Sequence, residues 1–187
     1  MQMSGEYRIP APRQAVWDAL NDPEILKQCI PGCEELVRNG ENGFNAKVVA
    51  KVGPVRAKFG GTVELSDIDP PNGYTISGQG QGGAAGFAKG GAAVKLAEDG
   101  EDTVLSYTVD ASVGGKLAQI GSRLIDATSK KMADDFFSRL AEVVAGPAAA
   151  EAAPLPAAPE AGRLPAYVWV GGLVAIVIIF LLVFANL

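Results

Sequence analysis

The residue types that usually perform catalysis are sparse in this sequence of 187 residues. It contains no histidine, which excludes Ser-His-Asp and Cys-His catalysis, histidine metal sites and histidine-based pH switches. The two cysteines, Cys29 and Cys33, have the spacing C-x3-C, and two thiols alone do not complete a structural zinc site. This spacing also differs from the C-x-x-C of redox proteins. We therefore expect two half-buried thiols around a Pro-Gly turn, with no catalytic residue and no metal site.

One glycine-rich segment matches a nucleotide-binding motif letter for letter. Gly78, Gly80 and Gly83 have the spacing G-x-G-x-x-G of dinucleotide-binding folds. In those folds the motif joins a strand to a helix whose N-terminus binds phosphate, whereas here it lies between two predicted strands. The sequence therefore argues against nucleotide binding. The glycines instead predict a bulged or tightly bent pair of strands, or an open space at the mouth of a cavity.

The predicted elements come in the order of one strand, two short helices, six more strands and a long helix. Residues 5–9 predict the first strand, and residues 12–20 and 23–29 predict the two helices, the first of which opens with Pro12. A period near two, interrupted by turn residues, then predicts antiparallel strands. Their ranges are 34–38, 43–52, 55–68, 74–80, 86–97 and 103–113.

The same pattern predicts a sheet with one apolar and one polar face, covered by the long helix. Within strand 55–68, Phe59 and Val63 share a face with other apolar residues, and charged residues occupy the opposite face. Residues 116–144 predict the long helix, because apolar residues recur there every three or four positions. Its charged residues predict a solvent-exposed face, and a docking surface for a partner enzyme is the second interpretation. They include Lys130, Lys131, Asp134, Asp135 and Glu142.

The sequence after residue 145 predicts a linker and a membrane anchor rather than a second domain. Residues 146–165 are rich in Ala and Pro without an apolar period, which predicts a disordered, semi-extended linker. Within the anchor, 166–187, residues 167–185 carry no charge, and a helix of that length would span about 28 Å, close to the thickness of a bilayer. The alternative is a buried core helix. The residues assigned to the anchor are Tyr167, Trp169, Leu173, Ile176, Ile179 and Leu182.

Charge and the N-terminal sequence predict partners and location. The net charge is −5 and no long basic run is present, which argues against nucleic acid as the main partner. Residues 1–145 have the usual size of one domain. The N-terminus lacks the apolar core of a signal peptide. A single-pass C-terminal anchor would therefore hold this domain on the cytoplasmic side of the cytoplasmic membrane.

Several motifs together resemble one protein family. Residues 16–23 (VWDALNDP), 30–34 (IPGCE), 51–65 (KVGPVRAKFGGTVEL) and the glycine-rich residues 78–90 are similar to the CoxG-like subunits of carbon monoxide dehydrogenase. The element order resembles the helix-grip fold of the START-like (SRPBCC) superfamily. This is an α+β fold in which a curved antiparallel sheet wraps around a long C-terminal helix. Some members of the family also have an Ala/Pro linker and a C-terminal membrane helix.

The resemblance implies an accessory protein rather than an enzyme. It would recruit a molybdenum-containing carbon monoxide dehydrogenase, or a related molybdenum hydroxylase, to the cytoplasmic membrane. The cavity of the helix-grip fold further implies a carried ligand, either a quinone (menaquinone or ubiquinone) or another lipid, with no covalently bound cofactor. Two alternatives stay open: a passive tether that binds no ligand, and an enzyme similar to the polyketide cyclases of the same superfamily.

The ligand implied by the resemblance would lie between the sheet and the long helix. A quinone headgroup needs one or two hydrogen-bond donors in an apolar wall, and Tyr107 and Thr128 can serve as those donors. The alternative is that the same side chains pack against one another as a solid core. The predicted set is Phe59, Val63, Phe87, Leu105, Tyr107, Val109, Leu117, Ile120, Leu124, Thr128 and Met132.

Overall fold

The helices and strands follow one another in the predicted order. The computed structural model describes residues 1–146. Single 3-10 turns occupy Gly83–Ala85 and Ala118–Ile120. The longer elements are β1 (Gln2–Ile9), α1 (Arg13–Asn21), α2 (Pro23–Cys29), β2 (Cys33–Arg38), β3 (Gly43–Val52), β4 (Val55–Asp69), β5 (Gly73–Gln81), β6 (Phe87–Asp99), β7 (Asp102–Gly114) and α3 (Ser122–Ala145).

The seven strands form one antiparallel sheet in the order β1-β7-β6-β5-β4-β3-β2. Every neighbouring pair except β1 and β7 is also consecutive in sequence, so most of the sheet is built from hairpins. β1 instead pairs with the last strand, where Gly5 lies opposite Tyr107 and Tyr7 opposite Leu105. A curved antiparallel sheet with one long C-terminal helix confirms the predicted α+β helix-grip fold.

The connections between strands alternate between two ends of the sheet because neighbouring strands are antiparallel. The β3–β4 turn, the β5–β6 connection and the β7–α3 connection share one end, which we call the mouth end. The β2–β3, β4–β5 and β6–β7 turns share the other end, which we call the turn end.

The predicted division into an apolar and a polar face is confirmed. Along β7 every second residue from Thr103 to Ala111 is buried. Along β4, Phe59 and Val63 are buried, whereas Glu64, which points to the opposite face, is exposed. The apolar face is covered by α3 and by the two short helices, which contribute further buried residues to the same core.

Two prolines and an aspartate position the short helices. Pro12 precedes α1, and Pro23 is the first residue of α2, where its fixed φ suits the helix and its missing N–H is not needed. Between them the Asp22 carboxylate accepts a hydrogen bond from the backbone N–H of Glu24 at 2.8 Å and so caps α2. Trp17 of α1 is buried against the sheet.

The long helix begins later than predicted. The sequence predicts a start at residue 116, whereas α3 starts at Ser122. Gly115 and Gly121 have φ values of 74° and 95°, and this left-handed geometry prevents a continuous helix across them. Leu117 and Ile120 therefore belong to the connection between β7 and α3 and not to the helix.

The buried face of α3 also differs from the predicted one. The predicted face follows large apolar residues and includes Leu124 and Val143, which are 48% and 42% exposed. The face that packs on the sheet alternates small residues with large ones, because small side chains let the helix approach the strands closely. It consists of Ile125, Ser129, Ala133, Phe136, Phe137, Leu140 and Ala141.

The glycine-rich segment runs through two regular strands. Gly78 in β5 pairs with Gly90 in β6, and the β5–β6 ladder has no register shift, so the predicted bulge is wrong. A Cβ at Gly90 would lie 2.4 Å from the carbonyl oxygen of Asp110, which explains why a glycine suits this close approach to β7. Gly83 opens a single 3-10 turn, so no long helix follows the G-x-G-x-x-G motif.

Candidate ligand site inside the helix grip

The residues predicted to bind a ligand divide into three groups by burial. Ile120, Thr128 and Met132 are partly buried. Phe87 and Leu124 are 46% and 48% exposed and do not lie in the core. The structure brings the remaining six together as buried residues of one core, namely Phe59, Val63, Leu105, Tyr107, Val109 and Leu117.

Tyr107 has two polar neighbours that belong to distant parts of the sequence. The ring of Tyr7 on β1 stacks beside that of Tyr107, with centroids 6.0 Å apart and planes 12° apart. The Tyr7 hydroxyl donates a hydrogen bond to the carboxylate of Asp134 on α3. Phe137 packs against both phenol rings, with centroid distances of 4.2 Å to Tyr7 and 5.8 Å to Tyr107. We call Tyr7, Tyr107 and Asp134 the tyrosine–aspartate cluster.

The register of β1 against β7 creates room for this cluster. Gly5 lies opposite Tyr107, and a Cβ at Gly5 would be 2.6 Å from the Tyr107 hydroxyl oxygen. The Tyr107 side chain therefore lies over β1 in space that only a glycine leaves open. Tyr7 is two residues further along β1, so its side chain points to the same face of the sheet.

Burial keeps both phenols protonated at neutral pH. Burial raises the pKa of Tyr7 far above its usual value, and the hydrogen bond to Asp134 raises this pKa further. Burial also raises the pKa of Tyr107 to about 12. The Tyr7 hydroxyl therefore donates to Asp134, the Tyr107 hydroxyl keeps its proton as a candidate donor, and neither is suited to serve as a general base near pH 7.

The tyrosine–aspartate cluster combines one donor, the Tyr107 hydroxyl, with the Asp134 carboxylate and the Tyr7 oxygen as acceptors, because Tyr7 donates its only proton to Asp134. The cluster lies at the edge of a largely apolar interior. Such a set can bind the carbonyl or hydroxyl oxygen of an otherwise apolar ligand. Thr128, the other predicted donor, donates its hydroxyl proton to the Leu124 carbonyl at 2.8 Å and so bonds to its own helix. The structure thus keeps Tyr107 as a candidate donor and places the hydrogen-bonded pair of Tyr7 and Asp134 beside it.

Asp134 and Tyr7 are absent from the site that the sequence predicts. The sequence places Asp134 on a solvent-exposed face of the helix, because carboxylates are rarely buried without a partner. The structure instead turns it towards Tyr7 and leaves it only partly exposed. The signal that could have found it is its position three residues before Phe137, which places both on one side of the helix. The signal for Tyr7 is its alternation with Ile9, since both are buried.

At the mouth end, the β3–β4 turn and the β5–β6 connection both contact the segment around the start of α3. A Cβ built on Gly53 in the β3–β4 turn would contact the side chains of Ile120 and Leu124 at 3.6 and 3.7 Å. The backbone N–H of Leu117 donates a hydrogen bond to the carbonyl of Ala85 at 2.8 Å. The β3–β4 turn and the β5–β6 connection are therefore both attached to the segment that precedes α3.

The two cysteines carry free thiols that are poorly suited to reaction. Cys29 is buried and Cys33 is half-buried. Burial raises the pKa of each thiol to about 11, so both are protonated at neutral pH. Within residues 1–146, no group of three or more His, Cys, Asp or Glu side chains is arranged to hold a metal ion.

Two shallow depressions on the outer surface lie outside the helix grip and are lined at least in part by charged residues. One, of about 440 Å³, lies beside Arg13 and Glu98 at the turn end. The other, of about 600 Å³, crosses the polar face of the sheet near Gln79, Lys89 and Asp110.

The predicted membrane anchor lies outside the described residues. Residues 147–187 contain all of that segment, including Tyr167 and Trp169, and almost all of the predicted linker. Within residues 1–146, no helix combines the length and the hydropathy needed to cross a bilayer. The anchor and the location at the cytoplasmic membrane therefore stay predictions.

Solved structures similar to this chain align with its described domain. A conserved protein from Geobacillus kaustophilus is 34% identical, with a TM-score of 0.74, and the alignment covers 78% of this chain and 95% of that chain. A protein from Thermus thermophilus is 19% identical, with a TM-score of 0.59 over 78% and 97% of the two chains. The Zhui aromatase/cyclase from Streptomyces is 14% identical, with a TM-score of 0.59 over 78% and 93%. The last two similarities show the fold alone.

The fold and its neighbours define the class of protein as helix-grip, or START-like. The sequence profile of CoxG, a subunit family of carbon monoxide dehydrogenase, matches residues 5–145. The chain therefore belongs to the CoxG family, which confirms the resemblance seen in its motifs. A search of curated proteins returned no significant match.

Proposed function

We propose that this protein is a membrane-anchored accessory subunit of a molybdenum-containing carbon monoxide dehydrogenase. It recruits the enzyme to the cytoplasmic membrane and binds a quinone, menaquinone or ubiquinone, within the helix grip. Membership of the CoxG family over residues 5–145 supports the accessory role. The observation that carries the quinone proposal is the tyrosine–aspartate cluster at the edge of a largely apolar core.

The chemistry of a quinone matches this cluster. A quinone is a flat apolar ring with two carbonyl oxygens, so its site needs apolar walls and hydrogen-bond donors. Tyr107 is a protonated donor for a quinone carbonyl, whereas Tyr7 donates its own proton to Asp134. The rings of both tyrosines stack with Phe137, and aromatic rings of this kind suit a flat ligand. The carboxylate of Asp134 is an acceptor that suits the hydroxyl groups of the reduced quinol.

In this proposal the protein carries its ligand and does not transform it. Electron transfer is assigned to the dehydrogenase, and the two cluster tyrosines, which stay protonated near pH 7, are assigned to binding. The predicted linker, residues 146–165, would let the domain move between the enzyme and the bilayer while the anchor, residues 166–187, holds it nearby.

A passive tether without a ligand is the second candidate. Close packing of the aromatic rings favours it, because the centroids of Tyr7 and Phe137 are 4.2 Å apart and those of Phe136 and Phe137 are 5.1 Å apart. Phe59 and Phe136 are also completely buried. If these rings fill the grip, recruitment alone remains as the function.

Mass spectrometry of lipids extracted from the purified full chain distinguishes the two candidates. We expect a quinone in the extract from the parent chain and much less from the double variant Tyr7→Phe/Tyr107→Phe, which keeps both rings and loses both hydroxyls. Tyr74→Phe is the matched control, because Tyr74 is a buried tyrosine that packs on Trp17 and lies outside the cluster. A parent chain that carries no quinone would contradict the carrier proposal and support the tether.

Recruitment is tested separately by cell fractionation with and without residues 166–187. We expect the dehydrogenase to leave the membrane fraction when these residues are removed. A dehydrogenase that stays at the membrane would contradict the anchoring role, whatever the quinone analysis shows.

A further inference from the structure

Charge is distributed unevenly between the two ends of the sheet. At the turn end, residues 38–43, 66–73 and 97–103 contain seven acidic residues and one basic residue. At the mouth end, three segments contain five basic residues and no acidic residue, although the whole chain has a net charge of −5. The mouth-end segments are residues 51–56, 82–90 and 112–124, and their basic residues, all exposed, are Lys51, Arg56, Lys89, Lys116 and Arg123.

The fold gathers these basic residues at the mouth end of the sheet. Lys51 and Arg56 lie opposite each other at the tip of the β3–β4 hairpin. The turn between them reaches the start of α3, where Gly53 approaches Ile120 and Leu124. The hairpin tip and the segment before α3 therefore form one continuous surface at the mouth end.

Folding stability does not account for this basic surface. Within residues 1–146 none of the five basic side chains forms an ion pair, whereas Lys47 and Lys58 on the same hairpin pair with Glu35 and Glu34. Arg123 lies in the first turn of α3, which has no acidic residue and where the helix dipole disfavours a cation. An anionic partner outside the domain would compensate these charges.

Exposed apolar side chains occupy the same surface. Phe87 and Leu124 are 46% and 48% exposed, more than any other large hydrophobic residue in the described part of the chain. The Phe87 ring lies over Gly114, where a Cβ would be 2.2 Å from the ring, so this side chain is held at the surface by the backbone beneath it. Exposed apolar residues bordered by Lys and Arg are typical of surfaces that bind the headgroup region of anionic membranes.

We infer that the mouth end docks on anionic lipid headgroups, so that this end of the domain faces the bilayer. This inference rests on the proposed membrane role, but it also requires that the bilayer contain anionic lipid. A hydrophobic anchor holds the protein on a bilayer of any headgroup charge, whereas docking of the mouth end requires anionic lipid and weakens with salt. Each Lys or Arg near such a surface contributes about fivefold to binding.

Vesicle sedimentation of residues 1–146 tests the mouth end without the anchor. A chain of this extent folds on its own in the Geobacillus kaustophilus relative, 95% of which aligns with this domain. We expect the domain to sediment with vesicles of phosphatidylcholine and phosphatidylglycerol at low salt, to be released at high salt, and to bind pure phosphatidylcholine weakly.

Two variants with the same change in net charge locate the binding surface. Neutralising four mouth-end residues by the substitutions Lys51→Gln, Arg56→Gln, Lys116→Gln and Arg123→Gln should weaken binding to anionic vesicles by about a hundredfold or more. The control neutralises four exposed residues elsewhere and should bind within about tenfold of the parent. Its substitutions are Lys27→Gln, Lys95→Gln, Lys130→Gln and Arg139→Gln.

Equal binding by the two variants, or equal binding of the parent to neutral and anionic vesicles, would overturn the inference. The quinone content of the full chain keeps this result separate from the proposed function. Loss of vesicle binding in the mouth-end variant with quinone still present in the purified chain supports both claims. A parent chain without quinone contradicts the carrier proposal alone, because vesicle binding by the domain does not depend on a carried ligand.

Discussion

Two buried tyrosine sites share the apolar face of the sheet and differ in the use of their hydroxyl groups. Tyr74 packs on Trp17 with centroids 5.3 Å apart, and its hydroxyl has no hydrogen-bond partner within residues 1–146. Tyr7 donates to Asp134 and lies beside Tyr107. The Trp–Tyr pair fills a core without a carboxylate, whereas the cluster bonds a buried phenol to the partly exposed carboxylate of Asp134 on α3. Core filling therefore explains the first site and leaves the second as the candidate for binding.

The largest expected effect comes from removing the ring that supports the cluster. Phe137→Ala should lower the free energy of unfolding by about 3–5 kcal/mol, because it leaves a cavity beside both cluster tyrosines. Denaturant unfolding measures this change, with Leu124→Ala at a half-exposed position of the same helix as the control. Similar losses in the two variants would mean that Phe137 does not organise the cluster.

The next effect comes from breaking the bond between β1 and α3. Tyr7→Phe should lower the free energy of unfolding by about 1.5–3 kcal/mol, because it removes a hydrogen bond to a charged group. Denaturant unfolding of this variant beside Tyr74→Phe gives the comparison directly. If the two substitutions cost the same, the cluster has no special energetic role.

Raising the pH above 10 should lower the free energy of unfolding through Tyr107. Tyrosine in an unfolded chain ionises near pH 10, whereas the pKa of buried Tyr107 is raised to about 12. Because the folded pKa is the higher one, the stabilisation is complete below pH 10 and is lost as pH rises towards 12. The loss from Tyr107 amounts to about 1–3 kcal/mol, and Tyr107→Phe should make this part of the stability–pH curve less steep by that amount. Burial also raises the pKa values of Tyr7 and Tyr74, so these residues keep the curve falling above pH 10 in the variant. The raised thiol pKa values of Cys29 and Cys33 add a loss that starts nearer pH 9. An unchanged curve above pH 10 in Tyr107→Phe would contradict its burial.

The smallest effect is expected at the other tyrosine site. Tyr74→Phe should leave the free energy of unfolding unchanged or raise it by up to about 1 kcal/mol, because it removes a buried hydroxyl without a partner in the described domain. Thermal or denaturant unfolding measures it. A loss greater than about 1 kcal/mol would show that this hydroxyl is bonded after all, and the contrast between the two sites would disappear.

Most of the fold could be predicted because local sequence patterns specify its strands and helices. Strands such as β3 and β4 alternate apolar and polar residues and are joined by turn residues, so their existence and order follow from the sequence. The start of α3 could not be predicted, because the φ values of Gly115 and Gly121 depend on where the chain must turn. Its buried face was predicted in part: Ile125, Phe136 and Leu140 follow from the apolar period, whereas Ser129 and Ala133 are buried for their small size and not for their hydrophobicity.

The candidate site could be predicted only in part for a different reason. Tyr107 follows from the alternation of β7, but its neighbours come from β1 and from α3. The register of β1 against β7 joins residues about a hundred positions apart, and no local pattern specifies it. Asp134 is a residue type that usually lies at the surface. It belongs to the site only because Tyr7 of β1 donates a hydrogen bond to it.

The affinity of the full chain for a soluble short-chain quinone tests the central claim most directly. Isothermal titration of the parent, of Tyr7→Phe/Tyr107→Phe and of Tyr74→Phe gives the three values needed. We expect the double variant to bind about fivefold more weakly or worse, because the lost Tyr107 donor alone contributes about 1 kcal/mol, and Tyr74→Phe to bind like the parent. Equal affinities in all three chains, or no binding by the parent, would contradict the assignment of the tyrosine–aspartate cluster as a quinone site.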